Sequence, residues 1–192
     1  MQEEAEAILA FWLDEVGPKG WYQGGEALDA ECRARFLDTW EQARRGALDG
    51  WAASPRSALA LVILLDQMPR NMRRGEASAF ASDARALAVA KASIRRGFDL
   101  AVEGPERQFF YLPLMHSEVI ADQERAVRLI LLRLDGDDQL THARAHRAVI
   151  RRFGRFPYRN AALGRRTTEG EDAFLAAGGY AAALAEAEGV AA

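Results

Sequence analysis

Cysteine occurs once in the 192 residues, at Cys32, so no intrachain disulfide can form and the chain suits a reducing cytoplasm. Histidine occurs three times, at His116, His142 and His146, and lysine only at Lys19 and Lys91. No apolar run is long. The longest, ALALVILL at 58–65, is far short of the roughly 20 residues that span a bilayer, so no membrane association is expected. The opening MQEEAEAILAFWL is acidic where a secretion signal is basic. Basic excess is also missing: the net charge is −3, which disfavours a general nucleic-acid binder. There is no phosphate-cradling glycine loop, no nucleophile elbow, no CxxC and no HExxH. Neither a cofactor nor a metal is therefore expected.

Hydrophobic residues make up 49% and charged residues 28% of the chain. That is an ordinary globular composition, at a length where about 70% of the unfolded surface can be buried. A single domain over residues 1–192 is expected.

The dominant pattern is the 3.6-residue period of helices, and no segment alternates like a strand. Ala5, Ile8, Leu9, Trp12 and Leu13 mark a first helix ending before Gly17. A second runs from about Glu26 to Arg45, with Cys32, Phe36 and Trp40 on one face. Ser54 and Pro55 form an N-cap and first-turn pair for a third helix reaching about Gln67. A fourth covers about Ser78 to Arg96. Pro105 opens a fifth, interrupted near Pro113 and resuming from about Ser117 to Leu134. A sixth starts at Gly136–Asp138 and ends near Gly154, and Thr168 with Glu171 has capping-box spacing for a seventh. Helices joined by short polar or Gly/Pro loops imply an all-α fold of stacked antiparallel hairpins.

Several polar residues fall on apolar faces. The third helix is apolar on every side (Leu59, Leu61 to Leu65), so it is central. Asp66 shares a face with Leu59, Val62 and Ile63 at the unfavourable end of the helix dipole, and needs a partner there. Pro69 disfavours helix at Met68, which predicts a turn presenting Arg70 and Asn71 beside Asp66. In the fifth helix Gln123, and His116 seven residues earlier, lie within a stripe of Val119, Ile120, Val127, Ile130, Leu131 and Leu134. In the sixth, His142, His146, Val149, Ile150 and Phe153 share one face, while Arg144, Arg147 and Arg151 point the other way.

Structural explanations stand beside functional ones. Asp66 with Arg70 or Arg155 fits a tie between a helix end and a loop as well as a ligand contact. Ser117 fits a helix N-cap, with Glu118 and Asp122 suiting a helix start. His142 and His146 have chelating spacing, but no third ligand is near in sequence, and core-facing histidines explain them better. Residues 139–168 contain eight arginines and no acid. Phe153, Phe156 and Tyr158 could stack nucleobases beside them, but three of the arginines form a solvated helix face. A small anion, which needs only one or two guanidinium forks, is the favoured partner over nucleic acid.

Three motifs, LALVILLDQMPRNMRRG at 59–75, FFYLPLMHSEVIADQER at 109–125 and RFGRFPYRNAALGR at 152–165, occur in that order. With ILAFWLDE at 8–15 and TTEGEDAFLA at 167–176, the chain resembles the bacterial domain-of-unknown-function family 924 over nearly its whole length. The resemblance implies a tetratricopeptide-like, right-handed all-α superhelix, in agreement with the about seven main helices read from the periodicity, and implies no activity. Its signature falls here on Asp66, Gln67, Pro69, Arg70 and Asn71, on His116, Ser117, Glu118, Asp122 and Gln123, and on Gly154, Arg155, Phe156, Pro157, Arg159 and Asn160. Members often carry His where this chain has Tyr158, so a metal ligand or proton shuttle at that position is not expected here.

The resulting expectation is a helical binding module for a small anionic ligand or an acidic peptide end. Asp66, Gln67, Arg70, Asn71, His116, Gln123, Arg155, Arg159 and Asn160 would line its site. The alternatives are a hydrolase or lyase using His116 with Glu118 or Asp122 at the same place, and an interaction scaffold in which the polar cluster is structural.

Overall fold

The computed structural model describes residues 2–189. It is all-helical, with no strand among the described residues. Two compact units divide the chain, Met1–Pro113 and Leu114–Ala192.

The first unit begins with α1 (Gln2–Leu9), which continues as a π-helical segment over Ala10–Val16 and ends in the short α2 (Gly17–Gly20). The long α3 (Glu26–Arg44) follows, burying Cys32, Phe36 and Trp40 on the expected face. Ser54 caps α4 (Pro55–Val62), its hydroxyl accepting the Ser57 N–H and Pro55 standing in the first turn. From Ala58 to Leu65 every residue of this central helix is at most 2% exposed, as the all-round apolar sequence requires. α1 and α6 (Asp83–Arg95) both pack on α4.

Here the structure departs from the expected turn at Met68. The helix does not stop: α4 widens into a π segment, Ile63–Gln67, and continues as α5 (Met68–Met72). A proline inside an α-helix clashes with the carbonyl four residues back and leaves it without a donor. For Pro69 that carbonyl belongs to Leu65. The wider turn accommodates the ring, in keeping with the local role of π-bulges, and the Ser82 hydroxyl donates to the Leu65 carbonyl at 2.6 Å.

α7 (Leu112–Met115) leads into the second unit, which holds α8 (Ile120–Arg133), α9 (Asp138–Phe153), α10 (Glu169–Ala176) and α11 (Tyr180–Gly189). α9 is central and packs against both α8 and α11. Val149, Ile150, Phe156, Phe174 and Ala183 form its core. Gly154 adopts φ +70° and ends α9 in the left-handed region, the usual glycine stop. The expected capping box at Thr168 and Glu171 is present in both directions.

Two expectations for this unit change. Val119, Ile120 and Leu131 are 56%, 43% and 58% exposed, so the buried face of α8 is carried by Gln123, Ala126, Val127 and Ile130 instead. α11 was not legible as a separate element, because its Ala-rich sequence has little amphipathic contrast.

Candidate functional site

The polar residues singled out by periodicity divide between the two units. In the first, Asp66 is 1% exposed and Gln67 is buried beside it, its amide donating to the Asp66 carboxylate. Arg70 reaches Asp66 only at 3.8 Å. Its shorter contacts are to Asp83 Oδ1 at 2.7 Å and the Ala79 carbonyl at 2.5 Å, with the guanidinium 4.7 Å above the Phe80 ring. Arg70 thus staples α5 to the start of α6. Asn71 is not beside Asp66 in its bonding: its amide donates to Asp29 at 2.9 Å.

Asp29 also accepts both nitrogens of the Arg74 fork, at 2.6 and 2.8 Å. The Arg74 hydrogen bond outweighs burial and, with the Asn71 amide, holds the Asp29 carboxyl below its ordinary range. Sequence reading missed Asp29. The signal was available, since Asp29 stands three residues before Cys32 on the apolar face that continues through Phe36 and Trp40.

In the second unit the sequence candidates converge on the end of α9 and the loop after it. Arg159 is 8% exposed. It donates to the His116 carbonyl at 3.1 Å and lies 4.5 Å over the Phe156 ring. The His116 and His146 rings are 6.1 Å apart, and His146 meets Phe156 edge-on at 5.5 Å and Tyr180 at 4.7 Å. His146 Nδ1 lies 2.9 Å from the His142 carbonyl. A carbonyl only accepts, so that nitrogen carries the proton and Nε2 is left as an acceptor. Burial pushes the His146 pKa down to about 3, and the charges of His116 and Arg159 act in the same direction. The ring is therefore neutral near pH 7. His142 Nδ1 shares a 2.6 Å hydrogen bond with the Tyr180 hydroxyl, whose pKa burial raises. Tyr158 stacks on Phe156 at 5.3 Å.

Around this centre two arginines are bound by carboxylates. Arg155 forks onto Glu171 at 2.6 and 2.7 Å and adds a 2.8 Å bond to the Arg166 carbonyl. With the Arg155 fork first and the Thr168 N–H second, the Glu171 pKa is drawn down to about 2. Arg165 forks onto Glu118 at 2.8 and 2.9 Å, and Glu118 also accepts the Phe156 N–H at 2.9 Å. Burial alone would raise the Glu118 pKa, but these bonds and the charges of Arg165 and Arg159 outweigh it and leave it lowered. Asp122 accepts the Ser117 hydroxyl at 2.9 Å, and the Ser117 Oγ in turn accepts the Val119 N–H at 3.2 Å. Ser117 therefore organises the chain just ahead of α8, although the residue at the cap position is Val119.

Gln123, fully buried, donates to the carbonyls of Met115 and Ser117 at 2.6 Å each. Its Oε1 is buried without a partner, as is Oδ1 of Asn160, whose amide lies 3.4 Å from Thr167 Oγ1 and from Glu171. Sequence reading missed Arg165 as the counter-ion of Glu118 and Tyr180 as the partner of His142. Neither pairing has a sequence signal, since the partners are 47 and 38 residues apart. Among the described residues no group of three His, Cys, Asp or Glu side chains is arranged to hold a metal ion.

Comparison with known proteins places the chain in a wider group. A family model described as bacterial protein of unknown function (DUF924) matches residues 8–179. A solved structure, a protein of unknown function from Agrobacterium tumefaciens, is 45% identical in sequence and superimposes with a TM-score of 0.86. The match covers 91% of this chain and 97% of that one. No curated protein matches.

Proposed function

The chain belongs to this bacterial family of unknown function, and as a member of it we propose that the protein is a non-catalytic helical module whose second unit binds a small anion, a phosphate or carboxylate group. The observation that carries this reading is the environment of Arg159. A guanidinium only 8% exposed is directed at the His116 carbonyl. It belongs to a group in which three guanidiniums (Arg155, Arg159, Arg165) act on two carboxylates (Glu118, Glu171). That clustering of guanidiniums, in partly desolvated surroundings where ionic contacts strengthen, supports an anionic ligand or an acidic peptide end. His116 would border the anion, and Gln123 and Asn160 would shape the surrounding backbone.

In this reading Asp66, Gln67, Arg70 and Asn71 brace the first unit. The helix packing within each unit is compatible with tetratricopeptide-like stacking, and buried, lone Cys32 suits a reducing cytoplasm.

Binding is favoured over turnover because the acids nearest His116 are committed. Glu118 is held ionised by Arg165, which suits a structural counter-ion and not a group that must take up and release a proton near pH 7. The hydrolase or lyase reading with His116 and Glu118 or Asp122 is therefore second to binding.

One observation favours a purely structural alternative. Arg155 and Arg165 are both already bidentate on carboxylates, which would lock the loop of a scaffold without any ligand.

A thermal-shift screen with inorganic phosphate and with phosphorylated and carboxylated metabolites separates these readings. The binding reading expects a raised Tm that is lost in Arg159→Gln and partly kept in Arg159→Lys, with the ligand recovered unchanged. Absence of any shift across the screen would leave the structural clamp. Conversion of the ligand that stops in His116→Ala would instead favour the enzyme.

A further inference from the structure

The first unit contains a cleft of about 460 Å³ that differs in chemistry from the arginine cluster. Its floor is apolar, built on Leu9 and Leu59, which are 1% and 2% exposed, together with Leu13. Its walls carry three carboxylates, Asp14, Glu103 and Glu106, and one cation, Arg56. Arg56 is already neutralised: its fork contacts Glu6 at 2.7, 2.9 and 2.7 Å. Asp14 also acts on Arg56 through its charge, and no side-chain hydrogen bond holds Asp14, Glu103 or Glu106 among the described residues.

Two backbone features put these acids where they are. In an α-helix Asp14 would lie about 140° around from Leu9. The π segment Ala10–Val16 closes on the fifth residue instead, so Asp14 returns to the side of Leu9 and joins Leu13 at the cleft. Gly104 has φ +75°, and a Cβ there would come within 2.7 Å of Glu106 Oε2. The positive φ is what reserves this position for glycine, and it turns the chain between Glu103 and Glu106.

A hydrated divalent cation would gain nothing from a leucine floor. A hydrophobic acid would meet three like charges. The chemistry that matches both surfaces is a chain of methylenes ending in ammonium groups. We propose that this cleft binds a linear aliphatic polyamine, its methylenes on Leu9, Leu13 and Leu59 and its ammonium groups at Asp14, Glu103 and Glu106. The volume is within the range of small-molecule sites.

The test is calorimetric titration of the full chain with spermidine at near-physiological salt. One-to-one binding is expected, weakened about tenfold by the paired change Asp14→Asn and Glu106→Gln, the scale of one or two lost ion pairs. Glu186→Gln with Glu188→Gln removes the same charge from exposed positions on α11 and should leave affinity unchanged. Absence of spermidine binding overturns the proposal. Equal weakening by the two paired variants, or magnesium ion displacing spermidine at equal charge concentration, also overturns it, since either shows attraction by charge alone. A circular-dichroism melt of each variant confirms that it folds.

Discussion

Ser82 donates its hydroxyl to the carbonyl of Leu65 at 2.6 Å and accepts the Trp40 indole N–H at 2.9 Å. Leu65 is four residues before Pro69, so its carbonyl is the one that a proline inside this helix deprives of its α-helical donor. One buried hydroxyl on a neighbouring segment therefore serves both the bulged central helix and a tryptophan of α3.

The first prediction follows directly. Ser82→Ala leaves the Leu65 carbonyl short of a donor and the Trp40 N–H without its acceptor, both out of water. Removing one member of a buried hydrogen-bonded set costs about 1–3 kcal/mol. Urea denaturation at pH 7 should show a loss of that size with an unchanged m-value. A loss below about 0.5 kcal/mol would mean that backbone donors or water already satisfy both groups.

The clamp between Arg155 and Glu171 should show itself in acid. The Glu171 pKa falls from 4.5 to about 2 on folding, so the unfolded chain takes up the proton first. The stabilisation is complete above about pH 4.5 and is lost as the pH falls towards 2. Stability curves for Glu171→Gln and the unmodified protein should therefore be separated at pH 7 and converge in that window. Parallel curves down to pH 2 would show that the carboxylate is not bound as described.

His146 makes the opposite end of the titration range informative. Its pKa is lowered from 6.5 to about 3 in the folded protein. Below pH 6.5 the unfolded imidazole binds a proton that the folded one refuses, so stability declines as the pH falls from 6.5 towards 3. The slope from this one group cannot exceed about 1.4 kcal/mol per pH unit. Between pH 6.5 and 5, above the main carboxylate titrations, His146→Leu should flatten the decline in Tm. An unchanged slope would assign it elsewhere.

Glu118 and Arg165 should behave as a coupled pair. Arg165→Met leaves a partly buried carboxylate with the Phe156 N–H as its remaining hydrogen bond and the more distant charge of Arg159, a loss of about 1–3 kcal/mol. Combining it with Glu118→Gln should cost less than the sum of the single changes, because the second removes the charge stranded by the first. Strict additivity in urea denaturation would show that the fork makes no net contribution.

The legibility of these features in the sequence follows their range. The all-α class, the cap at Ser54, the capping box at Thr168, the glycine stop at Gly154 and the buried face of α3 all depend on residues within one or two turns of each other. So does the inward placement of Asp66, Gln123 and His146. The bonding of these groups was not legible. Asn71 was expected beside Asp66 and meets Asp29 instead, 42 residues away, and Arg155 pairs with Glu171 across a loop whose path no periodicity describes.

By itself the sequence determined the all-helical class, where several helices begin and end, and that a set of polar groups must find partners out of water. Hydrogen bonding within a turn and the helical period are local, and they act before any long-range contact forms. The tertiary structure alone decided where a helix departs from the α period. At Pro69 and ahead of Gly17 the chain widens into π turns. That choice depends on what receives the freed groups, a Ser82 hydroxyl in one case, and on what the shifted register brings round, Asp14 to the cleft lined by Leu9 in the other.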